Sequence, residues 1–326
     1  METYLNEFFQ TLKIGNALTK NNMTIFPIFL PLPVFGKYIS LKKALSQQKI
    51  KFTESSEWGS VPELMVNNLS QEHVLILDGE ELVGAKQNRV LNTTVLLKRN
   101  SKIIIPVSCT EQGRWAYVSK EFDDSGNLLA ANLRRRKISS VSDNLNHYNK
   151  YYADQNEVWN GVKGLSDRLN VSSSTMALSD VFKKVEQKLD AYLRIFAIQT
   201  EQRGLLVAIN GEIIGFDFIS NPQVYAELHP KLIKSYAIEA EAVSKKKEQI
   251  VGGQKAKNFL KKALESKTKK FKGVSLGREY RFMDKKLVGS VLVYRKKVIH
   301  AALFTKIQAI KSTQSENNLF FIRRFF

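Results

Sequence analysis

Residues 74–77, Val-Leu-Ile-Leu, run directly into Asp78-Gly79-Glu80-Glu81 and then, past Gly84 and Ala85, into Lys86-Gln87-Asn88-Arg89. A second apolar run, 103–107, leads to Cys109, Glu111, Arg114 and Trp115. Polar side chains at the end of a buried strand and in its following turn can converge without breaking a core. Glu80, Glu81 and Glu111 are the candidates for general acid or base chemistry, and a carboxylate in this set is also a hard donor suited to a divalent metal such as magnesium. Asp78, Lys86, Gln87, Asn88, Arg89 and Arg114 suit a ribose, a base edge or a phosphate, arginine being the better bidentate partner for an anion. Trp115 reads as core or pocket wall.

Each candidate also has an ordinary reading. Asp78-Gly79 is a turn signal with surface acids beside it, residues 86–89 are polar side chains of an exposed strand or loop, and Glu111 with Arg114 is a structural ion pair. If residues 86–89 are extended, alternation pairs Lys86 with Asn88 and Gln87 with Arg89 on opposite faces, so only one pair meets a pocket. Cys109 has no local histidine to serve as its base, which favours a small buried residue over a thiolate nucleophile.

The elements that must hold these groups are short. Residues 23–31 form a β-rich run whose prolines suit an edge strand or a bulge, and 41–48 carry a helical pattern. From 51 to 118 closely spaced apolar runs, the last at 115–118, alternate with turn signals at Asp78-Gly79, 99–101 and Gln112-Gly113. This spacing predicts a sandwich or roll of mainly antiparallel strands rather than alternating βαβ units. Asp-Asp-Ser-Gly-Asn at 123–127 reads as a loop, and the arginine-rich stretch after it as a helix or a connection. Further on, 155–165 is helical. One long amphipathic helix is expected over 176–199 with its N-cap from Ser172-Ser173-Ser174. Asn210-Gly211 marks a hairpin, 222–243 and 254–265 read as helices, and 272–282, 286–294 and 297–306 as strands. The expected class is α+β: a β-rich region 1–145 carrying the candidate site, packed as one unit with a mixed helical and hairpin region 146–326.

Composition narrows the function classes. In 326 residues, 43% hydrophobic and 25% charged content is that of an ordinary globular chain rather than a disordered one. One cysteine excludes an internal disulfide framework, and four scattered histidines give no zinc motif. Walker, dinucleotide-fold and Gly-x-Ser-x-Gly patterns do not occur. No run is long and apolar enough for a bilayer, and the N-terminal 15 residues lack a basic leader pattern, so a cytoplasmic protein without membrane partners is expected. The formal charge of +19, from 50 Lys and Arg against 31 acids, predicts a positive field. Its clusters stand at Arg134-Arg135-Arg136-Lys137, 245–247, 261–262 and 269–272.

Residues 77–89 and the linked block 105–115 together resemble the ARG and rhodanese-phosphatase-superfamily-associated protein domain, and the likeness continues through Trp159, residues 176–181 and the 211–218 half of the hairpin with Asp217. What the resemblance implies is an association with ADP-ribose and phosphate-processing proteins, without an assigned catalytic residue. The leading expectation is therefore an enzyme or sensor acting on an ADP-ribose-like or other phosphorylated, nucleotide-derived ligand. A noncatalytic nucleic-acid-binding protein using the basic clusters, and a partner-binding module in which the polar residues merely order turns, are the alternatives.

Overall fold

Asn210 and Gly211 both take positive φ, 51° and 84°, and close a two-residue turn between strands Gly204–Ile209 and Glu212–Ile219. Such a turn matches the right-handed twist of the strands it joins. This hairpin is the centre of the largest sheet in the computed structural model, which describes residues 2–56, 59–243 and 251–306. The basic run 245–247 lies outside the described residues.

In chain order, α1 (Thr3–Thr11), β1 (Lys13–Ile14), β2 (Leu18–Lys20), β3 (Met23–Phe29), β4 (Tyr38–Ser40) and α2 (Leu41–Ser46) come first. A run of strands follows: β5 (Ile50–Glu54), β6 (Glu63–Asn68), β7 (His73–Ile76), β8 (Glu80–Gly84), β9 (Arg89–Leu91), β10 (Val95–Leu97), β11 (Ser101–Cys109) and β12 (Phe122–Leu128). Helices α3 (Ala131–Tyr148), α4 (Gln155–Leu169), α5 (Leu178–Lys184) and α6 (Glu186–Ile195) precede the hairpin strands β13 (Gly204–Ile209) and β14 (Glu212–Ile219). The chain continues with α7 (Pro222–Ala242), α8 (Gly253–Glu265), β15 (Thr268–Lys272), β16 (Arg278–Met283), β17 (Leu287–Tyr294) and β18 (Lys297–Thr305). The protein is α+β, with its N-terminal half rich in strands, as expected.

The nine-stranded sheet runs β1-β3-β13-β14-β18-β17-β16-β15, with β2 also on β3. Alternate residues of β13 enter different cores: Leu205 and Val207 pack with Tyr236 and other residues of α7, whereas Leu206 and Ala208 pack with Phe8, Phe9 and Phe259 of α1 and α8. Both faces are therefore covered, which is why β13 is an unbroken apolar run rather than an alternating one. A six-stranded sheet, β12-β8-β9-β11-β6-β5, and a three-stranded one, β10-β7-β4, share a third core that includes Phe52, Val66, Ile76 and Leu91. Residues 13–29 pair into the large sheet, so the N-terminal segment already belongs to the layer completed by 204–305.

Four local expectations are corrected. β3 is interior rather than an edge, yet Pro27 falls between the residues paired to β1 and those paired to β2, where a missing N–H is least costly. Residues 123–127 are not a free loop: Asp123 and Asp124 pair with β8 within β12, while 125–127 leave the ladder as a bulge that keeps its turn chemistry, with Gly126 at φ +76° donating its N–H to Asp124 Oδ1 at 3.0 Å. Residues 115–118 form no strand; Trp115, Tyr117 and Val118 are exposed. The long helix expected over 176–199 is two, broken at Val185, and Ala177 rather than a serine occupies the N-cap. Ser173 still contributes by accepting from the Ala177 N–H at 3.0 Å.

Candidate functional site

The first polar block is built on a turn in which Gly79 takes φ +89° and donates its N–H to Leu91 O at 3.0 Å. The turn sends Asp78 and Glu80 toward the helices, not toward solvent. Asp78 is fully buried against Lys137 of α3, whose Nζ also donates to Leu91 O at 2.7 Å. Glu80 accepts from Lys231 of α7 at 2.6 Å and from the Leu77 N–H at 2.7 Å, while Lys231 also donates to Asp124 at 2.7 Å. Burial alone would lower the Lys231 pKa, but the two carboxylates outweigh it and hold it above the ordinary value.

Glu81, one residue on and facing the other way, accepts from the Thr110 hydroxyl at 2.8 Å. Burial pushes its pKa up to about 7 from 4.5. The folded state then holds this proton more tightly than the unfolded chain, so stability falls as pH rises from about 4.5 to 7 and levels off above. Urea unfolding of the wild type and Glu81→Gln at pH 5 and pH 8 measures this. The variant is expected to lose less stability between the two, by a difference on the order of 2–3 kcal/mol; parallel profiles would contradict the assignment.

Ala85 takes φ +38°, so the chain bends out of β8 and residues 85–88 are not extended. The alternation expected from an extended segment therefore does not decide which pairs share a face. Gln87 and Arg89 do pair, the guanidinium donating to Gln87 Oε1 and O at 3.2 Å each with Glu54 3.7 Å away. Asn88 joins a different group: its N–H donates to Glu111 Oε2 at 3.2 Å and its Oδ1 accepts from Arg114 at 3.1 Å. Arg114 completes a clasp with Glu111 at 2.6 and 2.9 Å and with the Ala85 and Ala116 carbonyls at 2.6 and 2.9 Å. Burial tends to raise the Glu111 pKa, but Arg114, Thr175 and the Asn88 N–H more than reverse it. Lys86 lies over the Trp115 and Tyr117 rings at 5.5 and 5.1 Å, and Arg89 lies 5.7 Å from the Trp115 ring. The structure thus brings together Asn88, Glu111 and Arg114, and separately Lys86, Arg89 and Trp115, but sends Asp78, Glu80 and Glu81 to other partners. Cys109 is buried, and burial raises its thiol to about 11, which makes a poor thiolate.

Asp78 is one end of a longer buried line that spans the two β layers. Its N–H donates to Thr94 Oγ1 at 3.0 Å, and Thr94 Oγ1 lies 2.8 Å from His300 Nδ1. His300 Nε2 is 3.7 Å from Asp217, which takes a bidentate guanidinium from Arg134 at 2.6 and 3.0 Å and the Tyr236 hydroxyl at 2.7 Å. Beside it, Arg281 pairs with Glu279 at 2.7 Å and both meet the Thr93 hydroxyl. A hydroxyl, an imidazole and a carboxylate in line suggest nucleophilic catalysis. Here, however, Thr94 is 2% exposed and His300 and Asp217 0%, so a substrate atom has no approach and the line serves as a joint. Arg134 and Lys137, three apart on one helix face, are sunk in this joint. The run 134–137 is accordingly not a four-residue surface patch.

The side chains just outside the joint open onto a cleft of about 850 Å³ at the N-terminus of α3. Ile209, Ile213, Val243 and Phe304 form an apolar wall, and Asn132, Arg135, Arg168, Glu212 and Glu239 lie on the polar side. Arg135 donates to Asn132 Oδ1 at 2.8 and 3.3 Å and has no carboxylate within 4 Å among the described residues; burial, then the neighbouring Arg136, lower its pKa. Arg168 stands 3.7 Å from Glu239 Oε1. Glu239 is 7% exposed, and its Oε2 is buried without a hydrogen-bond partner. Burial raises its pKa. None of the sequence-derived candidates lines this cleft. Sequence reading saw Arg135 only as part of a basic run and passed over Arg168 and Glu239. The available signal was an acid at 239 inside the otherwise apolar turn Tyr-Ala-Ile-Glu-Ala of a helix.

Among the described residues no cluster of three or more His, Cys, Asp or Glu is placed to hold a metal, and no helix is long and apolar enough to cross a membrane. The fold and site thus define an α+β protein whose β layers are locked by buried ion pairs beside an arginine-edged cleft. The ARG and Rhodanese-Phosphatase-superfamily-associated Protein domain matches residues 11–304, and the chain belongs to that family. No curated protein and no solved structure matches it.

Proposed function

We propose that the protein is an enzyme or sensor that binds a phosphorylated, nucleotide-derived small molecule in the cleft beside the N-terminus of α3. The observation that carries this reading is the pairing of Arg135 and Arg168 with an apolar wall in a space of about 850 Å³. That volume is in the range of small-molecule sites, roughly 300–1,000 Å³, and the lining combines a hydrophobic body with a few polar groups that fix orientation. Arg135, which has no carboxylate within 4 Å among the described residues, is the cation best placed to receive an anion. The residues of the first polar blocks support this site from a distance: Asp78 and Glu80 fix α3 and α7, the two helices that carry Arg135 and Glu239.

A thermal-shift series with AMP, ADP, ADP-ribose, NAD and a 15-nucleotide oligothymidylate tests the reading. At least one of the small phosphorylated compounds is expected to raise the melting temperature in proportion to the logarithm of its concentration, as a ligand specific to the folded state does. The oligonucleotide is expected to have no such effect at physiological salt. A shift with the oligonucleotide alone, falling steeply with salt, would instead favour binding through the basic surface.

A further inference from the structure

We infer that Glu239 is a resident competitor for Arg168: a phosphate entering the cleft takes the guanidinium from this carboxylate, and the site takes up a proton as it takes up the anion. This rests on the cleft being the ligand site. Three observations carry it. Glu239 Oε1 stands 3.7 Å from an Arg168 nitrogen, longer than a hydrogen bond, so the two form a loose ion pair that a closer oxygen can break. Both residues line the cleft that also holds Arg135. The Arg168 side chain is 40% exposed and that of Glu239 only 10%, so the arginine is the partner with room to turn toward an entering anion.

The electrostatics of the carboxylate follow from the helices around it. Burial raises the Glu239 pKa, and Arg168 of α4, then Arg136 and Arg135 of α3, oppose burial without reversing it. A bound phosphate adds negative charge to the same cleft and engages Arg168, the largest of those opposing influences. Both changes disfavour the ionised carboxylate, so Glu239 binds a proton more readily when the anion is present. By reciprocity the anion binds more tightly when Glu239 is protonated, and affinity rises as pH falls. The arginines keep their charge throughout. Glu212, the other carboxylate of the lining, is largely exposed and pairs with Lys255 at 2.9 Å, which leaves Glu239 as the carboxylate paired with Arg168 among the described residues.

Calorimetric titration with ADP-ribose, whose phosphates do not titrate between pH 5 and pH 8, separates this inference from the reading beneath it. Glu239→Gln is expected to bind about 10-fold more tightly than wild type at pH 7, the order for removing one like charge from a partly buried site. In an Arg168→Ala background the same substitution should change affinity by less than about threefold, because the contested partner is gone. Wild-type affinity should rise as pH falls from 8 to 5, with proton uptake seen in buffers of different ionisation enthalpy, and Glu239→Gln should show neither. Unchanged or weaker binding in Glu239→Gln would overturn the competition while leaving the cleft as the site. A gain that survives in full without Arg168 would do the same. Failure of ADP-ribose to bind the wild type would overturn the cleft reading and the inference with it. The wild-type pH series needs no variant, so loss of folding in Glu239→Gln does not remove the test: affinity that stays flat or falls toward pH 5 contradicts the inference.

Discussion

Arg134→Leu is expected to lower folding stability by about 3–5 kcal/mol, the cost of leaving one member of a buried ion pair without the other. Asp217 is 0% exposed and takes both its guanidinium contacts from Arg134, at 2.6 and 3.0 Å. Without Arg134 the carboxylate keeps the Tyr236 hydroxyl but stays desolvated. The Arg134→Leu/Asp217→Leu double variant should recover much of the loss, since an apolar pair of similar volume has no buried charge to compensate. The sign with pH follows from Asp217. Burial alone would raise its pKa, but Arg134 and then His300 outweigh burial and hold it below the ordinary carboxylate value of 3.8. Its stabilising contribution is therefore complete above that value and lost as pH falls through the depressed one. Urea denaturation should show the full Arg134→Leu deficit at pH 7 and a smaller one in strong acid. A deficit below about 1 kcal/mol at pH 7 would show that the joint is not what holds the layers.

The second large effect concerns the cleft. Arg135→Ala combined with Arg168→Ala is expected to weaken binding of the phosphorylated ligand by about 10²- to 10⁴-fold, the product of two charge-assisted contacts at about 1.5–3 kcal/mol each. Folding stability should change little. Arg168 is exposed, Arg135 is half-buried, and neither belongs to the Arg134–Asp217 joint. This separation makes the result informative: ligand affinity falls while the unfolding midpoint of the unliganded protein moves by at most about 1 kcal/mol equivalent. Isothermal titration calorimetry with ADP-ribose and urea unfolding of the same samples measure both. A large drop in stability with unchanged affinity would assign the arginines to structure.

Much of the fold was legible in the sequence because its signals are local. The hairpin at Asn210-Gly211 follows from two residues that tolerate positive φ, and the helices expected over 222–243 and 254–265 are found at Pro222–Ala242 and Gly253–Glu265. The misread elements depend on partners far along the chain. Asp123 and Asp124 pair as strand residues because Val83 and Leu82 lie opposite them, which no window of neighbours reveals. The candidate residues had the same limit. The polarity of 78–89 and 109–115 was plain, but its use was not: Asp78 answers Lys137, Glu80 answers Lys231, and only Glu111 with Arg114 is a local pair. Arg134, Arg135 and Lys137 look alike in sequence, yet a helix turns the first and third into the joint and leaves the second at the cleft.

The proposed place of the ligand is the cleft at α3 rather than the blocks at 78–115. Its most direct test is ADP-ribose affinity, measured by calorimetry, in the wild type, in Arg135→Ala/Arg168→Ala and in Arg114→Ala. The cleft assignment predicts at least about 100-fold loss in the first variant and wild-type affinity in the second, with the loss of the Glu111 clasp appearing only as lower stability. Wild-type affinity in Arg135→Ala/Arg168→Ala together with loss of binding in a folded Arg114→Ala would contradict it.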